Sequence, residues 1–115
     1  MKPLPLSPEL LAHAYDYLTC LPPFAKLNMP PSDDIKFRVI KSKKIFARYF
    51  TEGGTHRIDF SSGLVGSHAV IISTMSHEMI HLHLAEIGAC DQHGPAFQGL
   101  ADKVCTIHGF DRLTF

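Results

Sequence analysis

Apolar residues recur along this chain with changing rhythms, and each change of rhythm marks a new element. Leu10, Leu11, Ala14 and Leu18 fall at helical spacing behind Ser7-Pro8-Glu9. That tripeptide is a start signal: an N-cap hydroxyl, a proline suited to the first helical position, and an acid in the first turn. The spacing predicts a helix to about Cys20, with Tyr15 turned inward and Pro22-Pro23 ending it. A turn-rich link runs through Pro30-Pro31-Ser32. The rhythm then shortens to two, with Ile35, Phe37 and Val39 alternating with Lys36 and Arg38 as in a half-buried strand. Residues 41–43 can turn the chain into a second strand, Lys44 to Thr51. Gly53-Gly54 can turn it into a third, Thr55 to Phe60, on which His56, Ile58 and Phe60 share a face. Three strands so close in sequence predict an antiparallel meander.

Ser61-Ser62-Gly63 breaks the strand pattern, and helical spacing resumes near Ser67. It carries Val70, Ile71, Thr74, Met75, Ile80 and Leu84 to about Ile87, where Gly88 suits a C-terminal stop. A loop from Ala89 to His93 leads to a last helix with Pro95 in its first turn, Phe97, Leu100, Ala101, Val104 and Ile107 at helical spacing, and Gly109 to end it. The residues from Phe110 onward show no pattern. The expected fold class is α+β: an N-terminal helix, a three-stranded antiparallel sheet, a strongly apolar helix and a C-terminal helix, in one domain over residues 1–115.

Composition sets the class without naming a partner. A 45% apolar and 19% charged content is that of a globular protein, and eleven cations balance eleven acids. The charge is unevenly placed, however, because Lys36, Arg38, Lys41, Lys43, Lys44 and Arg48 put six cations into thirteen residues. The plain reading of this run is the solvated face of a hairpin; the sharper one is a nucleic-acid contact, for which Phe46 and Phe50, interleaved on the same strand, could stack on bases or could equally be core. Cys20, Cys90 and Cys105 show no CxxC spacing, which fits a reducing compartment rather than a disulfide framework or zinc ribbon. With no apparent signal peptide and no apolar run long enough to span a bilayer, a cytoplasmic protein without membrane contact is expected. Oligomeric state has no signature here.

The chemistry is concentrated in His77-Glu78-Met79-Ile80-His81, an HExxH string. Four residues of α-helix turn the chain by about 400° and advance it about 6 Å, so the two imidazoles overlie each other and can reach one metal ion. Glu78 lies about 100° round from His77, placed to reach a water at an open coordination position. Eight histidines in the chain make a chance match conceivable, so context must support it. The context does: the string lies mid-helix, in an apolar segment, after a sheet.

A catalytic zinc needs a third protein ligand. The metzincin pattern fails at Leu84 and Ile87, and an acid about twenty residues downstream finds only Asp102, whose neighbours do not support it. His93 is the best candidate, since it precedes Gly94-Pro95 where the chain can fold back toward the helix. At this point the chain resembles the SprT-like family of zinc metallopeptidases, the group that includes Spartan. The resemblance rests on three segments: Ile58-Asp59-Phe60-Ser61-Ser62, Ser73-Thr74-Met75-Ser76 leading into the HExxH string, and His93-Gly94-Pro95-Ala96-Phe97. It implies a minimal zincin-like domain in which His77, His81 and His93 bind Zn2+. It also implies that Glu78 is general base and proton shuttle for hydrolysis of a protein or peptide substrate laid along the sheet edge. Neither a cysteine-rich ribbon nor the long regions that recruit the eukaryotic relatives to DNA is expected in this chain, which leaves its target open.

Other groups are weaker candidates. Asp91 or Asp102 could orient a ligand imidazole, Tyr49 could donate to an oxyanion, and His68, His83, His56 and His108 have no assigned task. Competing functions are a repressor-cleaving peptidase of the ImmA/IrrE type, which the His-Gly-Pro-Ala-Phe string disfavours, and a non-catalytic zinc module that binds nucleic acid or protein.

Overall fold

A computed structural model of the chain describes residues 6–63, 67–89 and 93–115. The first helix, α1 (Pro8–Thr19), begins as its cap predicts, with the Ser7 hydroxyl accepting the Leu10 N–H at 3.1 Å. Its buried face is Leu11, Ala14, Tyr15 and Leu18. Two short 3-10 turns, Phe24–Lys26 and Ser32–Asp34, occupy the link. Strands β1 (Ile35–Ile40), β2 (Ala47–Glu52) and β3 (Thr55–Ser61) follow, then helices α2 (His68–Glu86) and α3 (Pro95–His108).

The sheet is mixed, not the antiparallel meander that the strand pattern suggests. Its order is β1-β3-β2, with β1 parallel and β2 antiparallel to β3. Only β2 and β3 form a hairpin, closed by Gly53 and Gly54 with φ of +58° and +82°, the left-handed backbone that a tight two-residue turn requires. Residues 41–46 do not make such a turn. They cross the end of β3, held there by the Ser61 hydroxyl, which donates to the Ser42 carbonyl at 2.6 Å and accepts the Ser42 N–H at 3.2 Å. The reason lies in burial. Ile58, Asp59 and Phe60 of β3 are fully buried on both faces, whereas β1 and β2 keep exposed positions, so the last strand takes the centre and the other two become edges.

One face of the sheet, Ile35, Phe37, Ile58 and Phe60, joins α1 and α2 in the core. On the opposite face Asp59 pairs with Arg48 at 2.9 Å and with Arg57 at 3.0 Å, and both guanidinium groups lie over the Phe50 ring. Helix α2 buries Ile71, Met75, Met79, Ile80, Leu82 and Leu84, which cover most of its circumference and leave the side that carries His77 and His81 partly open. A helix apolar over so wide an arc belongs inside, and α2 is packed by α1, α3 and β2 together. Its buried sides deny it the freedom to tilt or turn. Among the described residues, no helix is long and apolar enough to cross a membrane.

Replacing Ile80, which has no exposed surface, by Ala should therefore lower stability by about 2–5 kcal/mol in chemical denaturation, whereas Ile107→Ala, at a half-exposed site, should cost well under half of that.

Candidate metal centre

Helix α2 presents His77 and His81 one turn apart, and α3 begins just after His93, which stands at φ +55° before Gly94 and Pro95. The left-handed backbone at His93 is costly for a residue with a β-carbon and persists only where the surroundings hold it. The three side chains meet at their Nε2 atoms. His81 lies 3.3 Å from His77 and 3.2 Å from His93, and His93 lies 3.4 Å from His77. A ring nitrogen either donates or accepts, so hydrogen bonds cannot satisfy all three edges of this triangle at once. A cation can satisfy all three. For a tetrahedral ion with metal–nitrogen bonds of about 2.0–2.1 Å, adjacent nitrogens stand about 3.3–3.4 Å apart, which is the size of the triangle.

Two further contacts orient the donors. His77 Nδ1 lies 2.9 Å from the backbone oxygen of Phe115, which can only accept, so the proton sits on Nδ1 and the Nε2 lone pair faces the centre. Phe97, four residues beyond His93, forms a floor, its ring centroid 4.9 Å from that of His77, 4.7 Å from His81 and 4.8 Å from His93. The aromatic residue at the end of the His-Gly-Pro-Ala-Phe string thus packs against every member of the triad. Burial, reinforced by His77 and His93, pushes the His81 pKa down to about 4, and burial also lowers His77. Both shifts favour the neutral imidazole, the form that ligates.

Glu78 lines the same cleft as the triad and is almost wholly buried. Loss of solvent pushes its pKa up to about 7, against a smaller opposing effect from the Tyr49 backbone. The cleft, of about 790 Å3, runs along β2 from Ala47 to Thr51 beside His77, His81 and His93. A smaller recess of about 190 Å3 continues past Glu78 toward Phe46, Ser73 and Thr114.

A model of the SprT-like family matches residues 24–113, well over half of the chain. The chain belongs to the SprT-like family. Among curated proteins, no match is found. Membership accords with a metallopeptidase-related domain, and the SprT-like match takes in the sheet, α2 and α3 but begins after α1. In this SprT-like chain the three histidines singled out in the sequence come together as a group that could hold a metal ion.

The remaining candidates are elsewhere. Tyr49 does not offer its hydroxyl to the centre: it is engaged by His56 Nδ1 at 2.7 Å, while His56 Nε2 meets Glu86 at 2.5 Å. Asp102 pairs with Arg112 at 2.7 Å rather than with an imidazole, and Asp91 lies outside the described residues. His68 lines an apolar cavity of about 580 Å3 with Tyr17, Val70 and Phe110, and His108 contacts the Pro22 carbonyl at 2.8 Å. Lys36, Arg38, Lys41, Lys43, Lys44 and Arg48 are all exposed, but Arg48 already pairs with Asp59. Phe50 lies beneath Arg48 and Arg57, and Phe46 is half-exposed beside the recess. The sequence pattern missed the role of Phe115, because a backbone oxygen leaves no residue-type signal.

Purified protein reconstituted with zinc should hold about one ion per chain, and His81→Ala should reduce that occupancy sharply when metal is measured after dialysis. Retention of full occupancy by the variant would remove His81 from the site.

Proposed function

We propose that this chain is a zinc-dependent endopeptidase of zincin type, built as one domain, in which His77, His81 and His93 hold the ion and Glu78 is the general base. The observation that carries this reading is the 3.2–3.4 Å triangle of Nε2 atoms with a buried carboxylate in the same cleft. Zinc bound by three histidines supplies Lewis acidity toward a peptide carbonyl and a water acidic enough to act near neutral pH. Glu78 accepts the proton from the attacking water at its carboxylate and returns it to the leaving nitrogen. A base works best with a pKa near the operating pH, and burial moves Glu78 in that direction.

The substrate's place follows from the sheet. Among the described residues strand β2 pairs with β3 on one side only, and its residues 47–51 wall the cleft. An extended peptide adding to that free edge would be held by backbone hydrogen bonds and so aligned against Glu78 and the triad. Backbone pairing is indifferent to side chains, which suits a broad choice of unfolded protein substrates. A non-catalytic zinc module has no use for a carboxylate that costs desolvation energy to bury, and Glu78 is therefore what favours hydrolysis.

Glu78→Gln should keep its zinc and lose at least about a hundredfold in turnover of an unfolded protein substrate such as casein. Unchanged turnover with zinc retained would end the assignment of Glu78 as base.

A DNA-associated target is the second part of the proposal, supported by Lys36 and Arg38 on the sheet face turned from the core and by Lys41, Lys43 and Lys44 in the adjoining connection. With Arg48 paired to Asp59, the three lysines of the connection carry most of the unopposed charge. DNA affinity should fall steeply as salt rises, and charge reversal at Lys43 and Lys44 should weaken binding and flatten that slope by about two. Binding that ignores both changes would retire the idea.

A further inference from the structure

We propose that Arg112 is a positioning residue for the metal centre, a single guanidinium that joins the support of His93 to the support of His77. This inference rests on the metal-binding reading of the triad. Arg112 comes after the last helix, in a stretch whose sequence shows no pattern, and touches none of the three imidazoles in a hydrogen bond. Its Nε donates to Asp102 Oδ1 at 2.7 Å, and its terminal nitrogen donates to Gln98 Oε1. Gln98 and Asp102 are four residues apart on α3 and so share one face of the helix, a spacing that the planar fork of an arginine can span.

The contact with Gln98 reaches His93. Gln98 Nε2 donates to the His93 carbonyl at 2.9 Å. An amide side chain has one accepting end and one donating end, so a guanidinium at the oxygen fixes the nitrogen toward His93. His93 stands in left-handed backbone, and its carbonyl is thus tied at a strained point of the chain.

The other arm reaches His77 through the chain itself. Residues 111–114 form a tight turn, in which Thr114 N–H donates to the Asp111 carbonyl at 3.2 Å and Leu113 N–H to the Asp111 carboxylate at 3.0 Å. Three residues after Arg112, Phe115 places its backbone oxygen on His77 Nδ1 and stacks its ring on Phe110. Pinning Arg112 to α3 therefore sets where that oxygen sits. Two ligands from separate elements, one on α2 and one ahead of α3, acquire a common brace.

An Arg–Asp pair this exposed contributes little to folding by itself. Its effect should appear in metal affinity, where loss of an outer support typically weakens binding about 10–100-fold. The test compares zinc affinity, by competition with a chelating dye, in the whole chain and in Arg112→Ala, Gln98→Ala and Arg112→Lys, alongside thermal unfolding of each metal-free protein. Arg112→Ala and Gln98→Ala should each bind zinc about tenfold more weakly or worse, with metal-free unfolding temperatures close to that of the parent. Arg112→Lys keeps a charge for Asp102 but not the fork, and should recover only part of the loss. Gln98→Ala leaves the ion pair intact, so it separates the brace from any structural part played by Arg112. Undiminished zinc affinity in the alanine variants, or a fall in metal-free stability that accounts for all of the loss, would overturn the proposal. A parent chain that binds no zinc would instead overturn the metal-binding reading and this inference with it.

Discussion

Three imidazole nitrogens brought within hydrogen-bonding distance of one another are the constraint on which the rest of this structure depends. Imidazole nitrogens do not gather this way by their own preference, because they cannot all pair and because partial burial strips water from His77 and His81. Something must hold them. Helix α2 is buried over most of its circumference and so cannot turn to carry His77 and His81 away from His93. Phe97 stands beneath all three rings, and the backbone oxygen of Phe115 sets the protonated nitrogen of His77. The apolar core and the histidine triad are in this sense one unit: packing supplies the rigidity that a ligand set needs.

The same burial acts on Glu78 with the opposite chemical result. Desolvation lowers the pKa of the imidazoles and raises that of the carboxylate, because in each case the charged form is the one penalised. One environment thus favours the neutral form of the imidazoles and of the carboxyl group alike. The sheet contributes through its order. Since β3 takes the centre, β2 becomes an edge, and it is this edge that borders the cleft. An antiparallel meander in chain order would have put β2 in the middle of the sheet, with no free edge beside Glu78.

Local patterns were legible where one residue type carries one physical meaning. The cap at Ser7, the glycine pair at 53 and 54, the apolar rhythm of α2 and the four-residue spacing of His77 and His81 all correspond to what the structure contains. His93 was legible because it precedes Gly94-Pro95 at a loop-to-helix junction, where the chain can fold back toward α2, and the same string also holds Phe97. Strand order was not legible. Alternation of apolar and polar residues reports which face a side chain occupies, not which strand lies next to it, and the burial of β3 on both faces appears only once Asp59 is seen paired with Arg48 and Arg57. The tail was illegible for a different reason. Phe115 acts through a backbone oxygen, and Arg112 through Gln98 and Asp102 on α3, which it reaches only because the chain folds back after that helix, so neither contact is announced by a motif.

X-ray absorption at the zinc edge of the loaded protein tests the central claim most directly, since it reads the atoms around the ion without reference to activity. Three imidazole nitrogens and one further light atom, all at about 2.0–2.1 Å, are expected. A sulfur neighbour at about 2.3 Å, or imidazole scattering from fewer than three rings, would contradict a centre built from His77, His81 and His93.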